Sequence, residues 1–325
     1  MTERGERRNT STEKRRRFLR WGRIAITLSA VAYLASRVDP SEVVSAWRRL
    51  SVGAALFALI VAFAAVGVGI VRWRLLLRAY GAIDLPSWAR LGHLYLVGHF
   101  YNTYVPGGVG GDILRGIASR KAFGDVSWAG ATTGVAVVFI ERVLGVSALL
   151  AMAACAYFIR PLPGLENVGL WAGLGLAAGV GALGGIALAP TLAPWLPKRL
   201  AEPLRALPHF YTTWPFIGAI VASLIIHLLN IVAGHAIMHS LDPAVQFSSS
   251  AVAMPLVSAS GFFPFTVGGA GVREAAFAAL YGTVGVPEAT AYAGSLSFWA
   301  LQLVTAGVGG LINLWIPVSG GPDDR

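Results

Sequence analysis

Five long stretches of this chain contain no Asp, Glu, Lys or Arg: Leu50 to Val71, Asn167 to Pro197, Ala206 to Leu241, Pro243 to Val272 and Ala289 to Pro322. A helix needs roughly 20 mostly apolar residues to cross the hydrocarbon core of a bilayer. Each stretch is long enough, and several hold a span plus a loop. A soluble protein of 325 residues can bury one or two such helices, but not this many. Charged residues make up 13% of the chain, against about 25% in soluble domains. The expected fold is all-α, a polytopic membrane helix bundle.

The formal net charge is +10, and residues 1–23 hold nine Lys or Arg against three Glu. A basic arm can bind nucleic acid. Here an apolar run from Ile24 to Ser36 follows it, so it reads as a topology signal that keeps the N-terminus cytoplasmic and rests on anionic headgroups. A cleaved signal peptide would have a shorter basic region and a small-x-small cleavage site, and neither is present. The organisation expected is a basic tail (1–21), one transmembrane domain (22–318) and a short C-terminal tail (319–325). Cys155 is the only cysteine, which excludes an internal disulfide.

Along the chain, the first span covers about Gly22 to Ser36 and the second about Val52 to Val71. Arg72, Arg74 and Arg78 then mark a cytoplasmic return. The segment Leu91 to Val105 is apolar but short. It ends in Pro106-Gly107-Gly108-Val109-Gly110-Gly111, and Arg115, Arg120 and Lys121 follow. Glycine and proline end helices, and basic residues on both sides imply a re-entrant hairpin. Trp128 to Ile159, Asn167 to Pro190, Thr213 to Ser240 and Thr290 to Ile316 give four more spans. Ser248 to Phe265 is a second short segment ending in glycines. The total is six full crossings and two broken segments.

The two breaks match without a gap. Pro106 to Arg115 and Pro264 to Arg273 both read P-x-x-V-G-G-x-x-x-R. Three crossings separate them, so the second hairpin enters from the opposite face. Paired interrupted segments in an inverted repeat are the sequence mark of a transporter-like site near the midplane.

Irregular backbone at membrane depth survives only where protein or a wet cavity satisfies its polar groups. Helices resuming near Asp112 and Gly271 would offer free N–H groups to an anion, and Arg115 and Arg273 would lie about one turn in. A guanidinium pairs bidentately with phosphate. The functional reading is a lipid-phosphate site built from Asn102, Gly107, Gly108, Gly110, Gly111, Arg115, Gly268, Gly269, Gly271 and Arg273. The alternative is a pair of packing turns with each Arg at an interface. Asp112 and Glu274 are the expected charge partners. Glu141 and Arg142 sit in an apolar run, pointing about 100° apart on a helix, so each needs its own partner. Glu141 either carries a coupling proton or pairs with Arg115 or Arg273. His227, His235 and His239 share one span. No carboxylate or cysteine accompanies them, so they read as cavity-lining residues and no metal site is assigned. The aromatics read mostly as interface anchors. There is no G-x-x-x-x-G-K-[ST], H-E-x-x-H or G-x-S-x-G, and no cofactor is expected.

Taken together, Asn102 to Arg115, then Glu141-Arg142-Val143-Leu144, then Pro264 to Glu274-Ala275 resemble the lysylphosphatidylglycerol synthase transmembrane (flippase-like) family. The resemblance covers nearly the whole chain after the basic N-terminus. It implies a polytopic fold with re-entrant segments and a role in moving lipids between leaflets. Some members carry a soluble aminoacyl-transferase domain as well. These 325 residues hold no segment for one, so the expectation is the flippase-like part without lysyl-lipid synthesis.

The function expected is a translocator of a phospholipid or lipid-linked intermediate in the cell membrane. Its partners would be anionic or phosphate-bearing membrane lipids and not nucleic acid. A homo-oligomer and a separate lipid-modifying enzyme are both left open. The rival reading is a membrane-embedded lipid-modifying transferase or its scaffold subunit, for which Glu141 and the histidines are the acid/base candidates.

Overall fold

The computed structural model describes residues 39–104, 108–124, 128–161, 167–192, 195, 212–260 and 270–318. Among the described residues every regular element is helical. A short helix α1 (Pro40–Trp47) is capped by Asp39, whose carboxylate accepts from the Ser41 N–H. Helix α2 (Val52–Ala79) starts at Ser51, whose hydroxyl accepts from Ala54 N–H. It runs beyond the expected end at Val71, because Trp73, Leu76 and Leu77 are fully buried and continue the helical face. Next come α3 (Trp88–Tyr104), α4 (Gly110–Ala118) and a 3-10 turn (Arg120–Phe123). They are followed by α5 (Trp128–Ile159), α6 (Val168–Leu192) and α7 (Thr213–Leu241). The chain closes with α8 (Phe247–Ser260), α9 (Val272–Gly282) and α10 (Glu288–Trp315).

Among the described residues four helices, α2, α5, α7 and α10, are long and apolar enough to cross a membrane. Helix α6, with 25 residues, stands where a fifth span was expected. The expected first span, Gly22 to Ser36, and both terminal tails lie outside the described residues.

Helices α2 and α7 run antiparallel: Ser51 N–H donates to Ser240 Oγ at one end, and Thr212 N–H donates to the Ala79 carbonyl at the other. These contacts define two ends of the bundle. Hairpin α3/α4 has both feet at the Ala79 end. The Arg74 guanidinium donates to the Pro86 carbonyl just before α3, and Ile83 N–H donates to the Ala122 carbonyl just after α4. Its tip reaches the middle of α10, where Tyr104 OH donates to the Leu303 carbonyl. Hairpin α8/α9 has both feet at the Ser51 end. His239 Nδ1 meets the Val245 carbonyl before α8, and Tyr281 OH near the end of α9 donates to Ser250 Oγ near the start of α8. Helices α5, α6 and α7 lie between the hairpins in the chain, and the feet of the two hairpins lie at opposite ends of the described bundle.

Hairpin α3/α4 is closed by backbone contact. A Cβ on Gly111 would stand 1.8 Å from the Gly98 carbonyl oxygen, and one on Gly134 of α5 would stand 2.1 Å from the Gly116 carbonyl oxygen. Small residues at such contacts let membrane helices approach closely. One apolar core gathers Trp73, Leu76, Leu91, Leu94 and Ile140 from α2, α3 and α5. A second gathers Ile237, Met254, Phe277 and Phe298 from α7 to α10.

Candidate functional site, a buried cluster of arginines and carboxylates

The loop after α3 turns at Gly108, whose φ of +64° lies in the region open to glycine. Asn102 then ties the two arms of the hairpin. Its side-chain oxygen accepts from Gly111 N–H at 2.9 Å, and its amide donates to Asp112 Oδ1 at 2.8 Å. Asp112 and Arg115 are three apart and share a face of α4, with Arg115 Nη2 2.9 Å from Asp112 Oδ1.

That face meets α5. Arg115 Nη1 is 3.1 Å from Glu141 Oε2, and Arg72 of α2 places Nη2 2.8 Å from Glu141 Oε1. Arg72 Nη1 also donates to Ser223 Oγ of α7. Arg142 points the other way around α5 and donates from Nε to Asp112 Oδ2 at 2.7 Å. Each of the adjacent residues Glu141 and Arg142 therefore finds its own partner. The Arg115 guanidinium packs on the rings of Tyr95 and Trp73, at 4.7 and 5.1 Å, in cation–π geometry. The Trp73 indole N–H is fully buried and has no acceptor among the described residues.

Three guanidinium groups thus face two carboxylates, so one positive charge is uncompensated within the cluster. Arg115 and Glu141 are buried and Arg72 is mostly so, whereas 42% of the Arg142 side chain is exposed. Among the described residues the two Nη atoms of Arg142 have no hydrogen-bond partner. The cluster can therefore hold an anion at its open edge.

The second hairpin is built differently. Gly271 has φ +87° and caps α9, donating its N–H to Glu274 Oε2 at 2.6 Å. Arg273 pairs with Glu274, donates from Nε to Ser295 Oγ at 3.1 Å, and lies 5.1 Å from the Trp299 ring. This group is electrically neutral. Carrying the motif register from Arg115 to Arg273 onto the following helix puts Trp299 where the first hairpin has Glu141. The repeat thus keeps the arginine, puts an indole at the Glu141 position and takes its carboxylate from the neighbouring Glu274.

The two clusters share no residue. Arg115 packs on Gly98, beside His99, which meets Thr305 of α10, whereas Arg273 meets α10 at Ser295. Ten residues of helix place those levels about 15 Å apart. Of the expected phosphate ligands, Asn102 and Gly111 are engaged within hairpin α3/α4, where Asn102 meets both Gly111 and Asp112. The surroundings of Gly110 are open. Gly107, Gly268 and Gly269 lie outside the described residues.

Arg72 was read only as a topology signal and is corrected by its pairing with Glu141. Its sequence signal was faint: an arginine at the end of a charge-free run, one residue before a tryptophan. Trp73 and Tyr95, grouped with the interface anchors, are wall residues of the cluster. The histidines serve helix contacts. His227 donates to the Gly145 carbonyl at 2.8 Å, and His235 lies 3.1 Å from Ser250 Oγ. No group of three metal-ligating side chains occurs among the described residues.

No curated protein matches this chain. The family model described as the lysylphosphatidylglycerol synthase TM region matches residues 20–310, a span that takes in both hairpins and every residue of the two clusters. The chain is a multi-pass membrane protein and belongs to the lysylphosphatidylglycerol synthase transmembrane-region family.

Proposed function

We propose that this protein moves a phosphate-bearing lipid between the leaflets of the cell membrane, with the Arg72–Arg115–Arg142 cluster as the station for its headgroup. The observation that carries this reading is the uncompensated positive charge beside the half-open Arg142. Charge at membrane depth is costly and is by default functional. A lipid phosphate supplies the missing anion, and its acyl chains remain in hydrocarbon. Hairpins entering from opposite ends give the headgroup a polar route from each side, as in transporters built on inverted repeats.

The Ala79 end is assigned to the cytoplasm together with the N-terminus. Arg74, Arg78, Arg90, Arg120 and Lys121 lie at that end against the single Asp84 among the described residues, whereas the Ser51 end balances Arg48, Arg49 and Arg160 with Asp39, Glu42, Asp242 and Glu288. Short basic loops face the cytoplasm.

The test is lipid exchange in reconstituted vesicles containing fluorescent phosphatidylglycerol, read with a membrane-impermeant reductant. The wild-type chain should expose inner-leaflet probe, and Arg142→Gln should slow that exposure. Equal rates for both and for protein-free vesicles would remove translocation. New lipid species in the extract would favour the lipid-modifying reading instead.

A further inference from the structure

A second feature lies at the opposite end of the molecule. Helices α1, α2 and α10 wall a groove of about 620 Å³, within the roughly 300–1,000 Å³ range of small-molecule sites. Its walls are apolar, formed by Val44, Val52, Leu56, Leu59, Leu301 and Val304. Val52 is 74% and Leu56 55% exposed. Besides Arg48, two polar groups line it, the Trp47 indole and the Ser297 hydroxyl, and they satisfy each other. Trp47 Nε1 donates to Ser297 Oγ at 2.7 Å, and Ser297 donates to the Ala293 carbonyl. The groove interior therefore offers a ligand no hydrogen bond, and only hydrocarbon fits it. At its mouth stands Arg48, exposed and without an ion-pair partner among the described residues.

Hydrocarbon within and a cation at the mouth specify an anionic amphiphile. We infer that this groove holds one acyl chain of a phospholipid whose phosphate sits on Arg48, a site separate from the arginine–carboxylate cluster. The separation is physical. Leu59 and Arg72 are thirteen residues apart on α2, about 20 Å along its axis. The groove lies at the Ser51 end, so its lipid belongs to the leaflet opposite the basic loops. It differs from ordinary annular contact in being walled on three sides, with α1 across the end of the bundle. Arg49 donating to Thr290 at 2.9 Å helps to hold α1 there.

Native mass spectrometry of the full chain in detergent tests this, with phosphatidylglycerol or phosphatidylcholine added separately. One phosphatidylglycerol should survive activation on the wild type. Leu56→Trp fills the groove and should cut that adduct about tenfold. Val304→Trp fills it from the opposite wall and should do the same, so misfolding of one variant leaves the other to decide. Arg48→Gln should cut phosphatidylglycerol retention about fivefold and leave phosphatidylcholine unchanged. Arg142→Gln, at the half-exposed edge of the cluster, should keep this adduct even if lipid exchange is lost, which separates this site from the translocation reading. An adduct unchanged in both tryptophan variants would overturn the proposal. So would disulfide formation between Leu56→Cys and cysteines placed across residues 24–36 in a Cys155→Ala background, since the chain's own N-terminal apolar segment would then fill the groove. Equal retention of both lipids by wild type and Arg48→Gln would overturn the assignment of the phosphate to Arg48.

Discussion

Arg115 and Glu141 meet across the packing seam of α4 and α5, Nη1 to Oε2 at 3.1 Å, with only 5% and 2% of their side chains exposed. The same carboxylate takes Arg72 on its other oxygen at 2.8 Å. Glu141 is therefore the joint on which α2, α4 and α5 close. Removing one partner of a buried ion pair costs about 3–5 kcal/mol, because it strands the other charge, whereas replacing the whole pair with apolar groups is often neutral. Glu141→Gln strands the Arg72 guanidinium, leaves Arg115 only Asp112, and should lower the unfolding temperature in detergent sharply. Arg115→Met combined with Glu141→Leu should lose less than the two single changes added together. A double-mutant cycle measures this, and strict additivity would show that the pair carries no coupling.

The Gly98–Gly111 contact makes a second, local prediction. A methyl at Gly111 would collide with the backbone of the facing helix arm, 1.8 Å from its oxygen, while one at Gly110 meets nothing within 4 Å. Gly111→Ala should abolish recovery of monodisperse protein. Gly110→Ala starts α4 with a better helix former and should be neutral, or stabilise by about 0.4–1 kcal/mol. Size-exclusion profiles and thermal unfolding of the two variants suffice, and similar behaviour of both would contradict the close-packed hairpin.

The hairpins were legible in the sequence because their signals are local. Pro106 with Gly107 to Gly111, and Pro264 with Gly268 and Gly269, break two apolar segments too short to cross, and the basic residues after the first fix its return. Pairings across helices were less legible. The Glu141 partner could be narrowed to Arg115 or Arg273 by charge alone, and only the packing of α4 on α5 selects Arg115. Arg72 was invisible as a site residue because hydropathy ends a span at the first arginine. In the fold, α2 goes on for seven more residues, held by the burial of Trp73, Leu76 and Leu77. Tryptophan signals an interface by composition, but Trp73 is buried against Arg115, and a side-chain direction of that kind is set by tertiary contacts. The second cluster is neutral because Glu274 offsets Arg273 and Trp299 of α10, outside the repeated motif, adds no charge where the first hairpin has Glu141.

Arg142 should separate function from stability. It is half-exposed, and Asp112 keeps Arg115 as a partner when Arg142 is gone. A partly exposed pair contributes about 0–1 kcal/mol, so Arg142→Gln should change the unfolding temperature little. It also removes the uncompensated charge, so exchange of phosphatidylglycerol in vesicles should fall about tenfold, the effect of losing one charge-assisted hydrogen bond of about 1.5 kcal/mol. Arg142→Lys keeps the charge but loses the forked donors, and should retain part of the exchange. A normal rate for Arg142→Gln would take this residue out of the headgroup station.

The opposed entry of the two hairpins predicts a labelling pattern. The feet of α3/α4 lie at the Ala79 end and those of α8/α9 at the Ser51 end. Lys121 is exposed just after the first hairpin, and Val284 is exposed in the turn after the second. In a Cys155→Ala background, Lys121→Cys should react with an impermeant maleimide only after the membrane is opened. Val284→Cys should react in intact cells. Reaction of both from the same side would place the hairpins in one leaflet and dissolve the inverted repeat. Reaction of each from the reverse side would keep the repeat and turn the whole protein over, with the N-terminus outside.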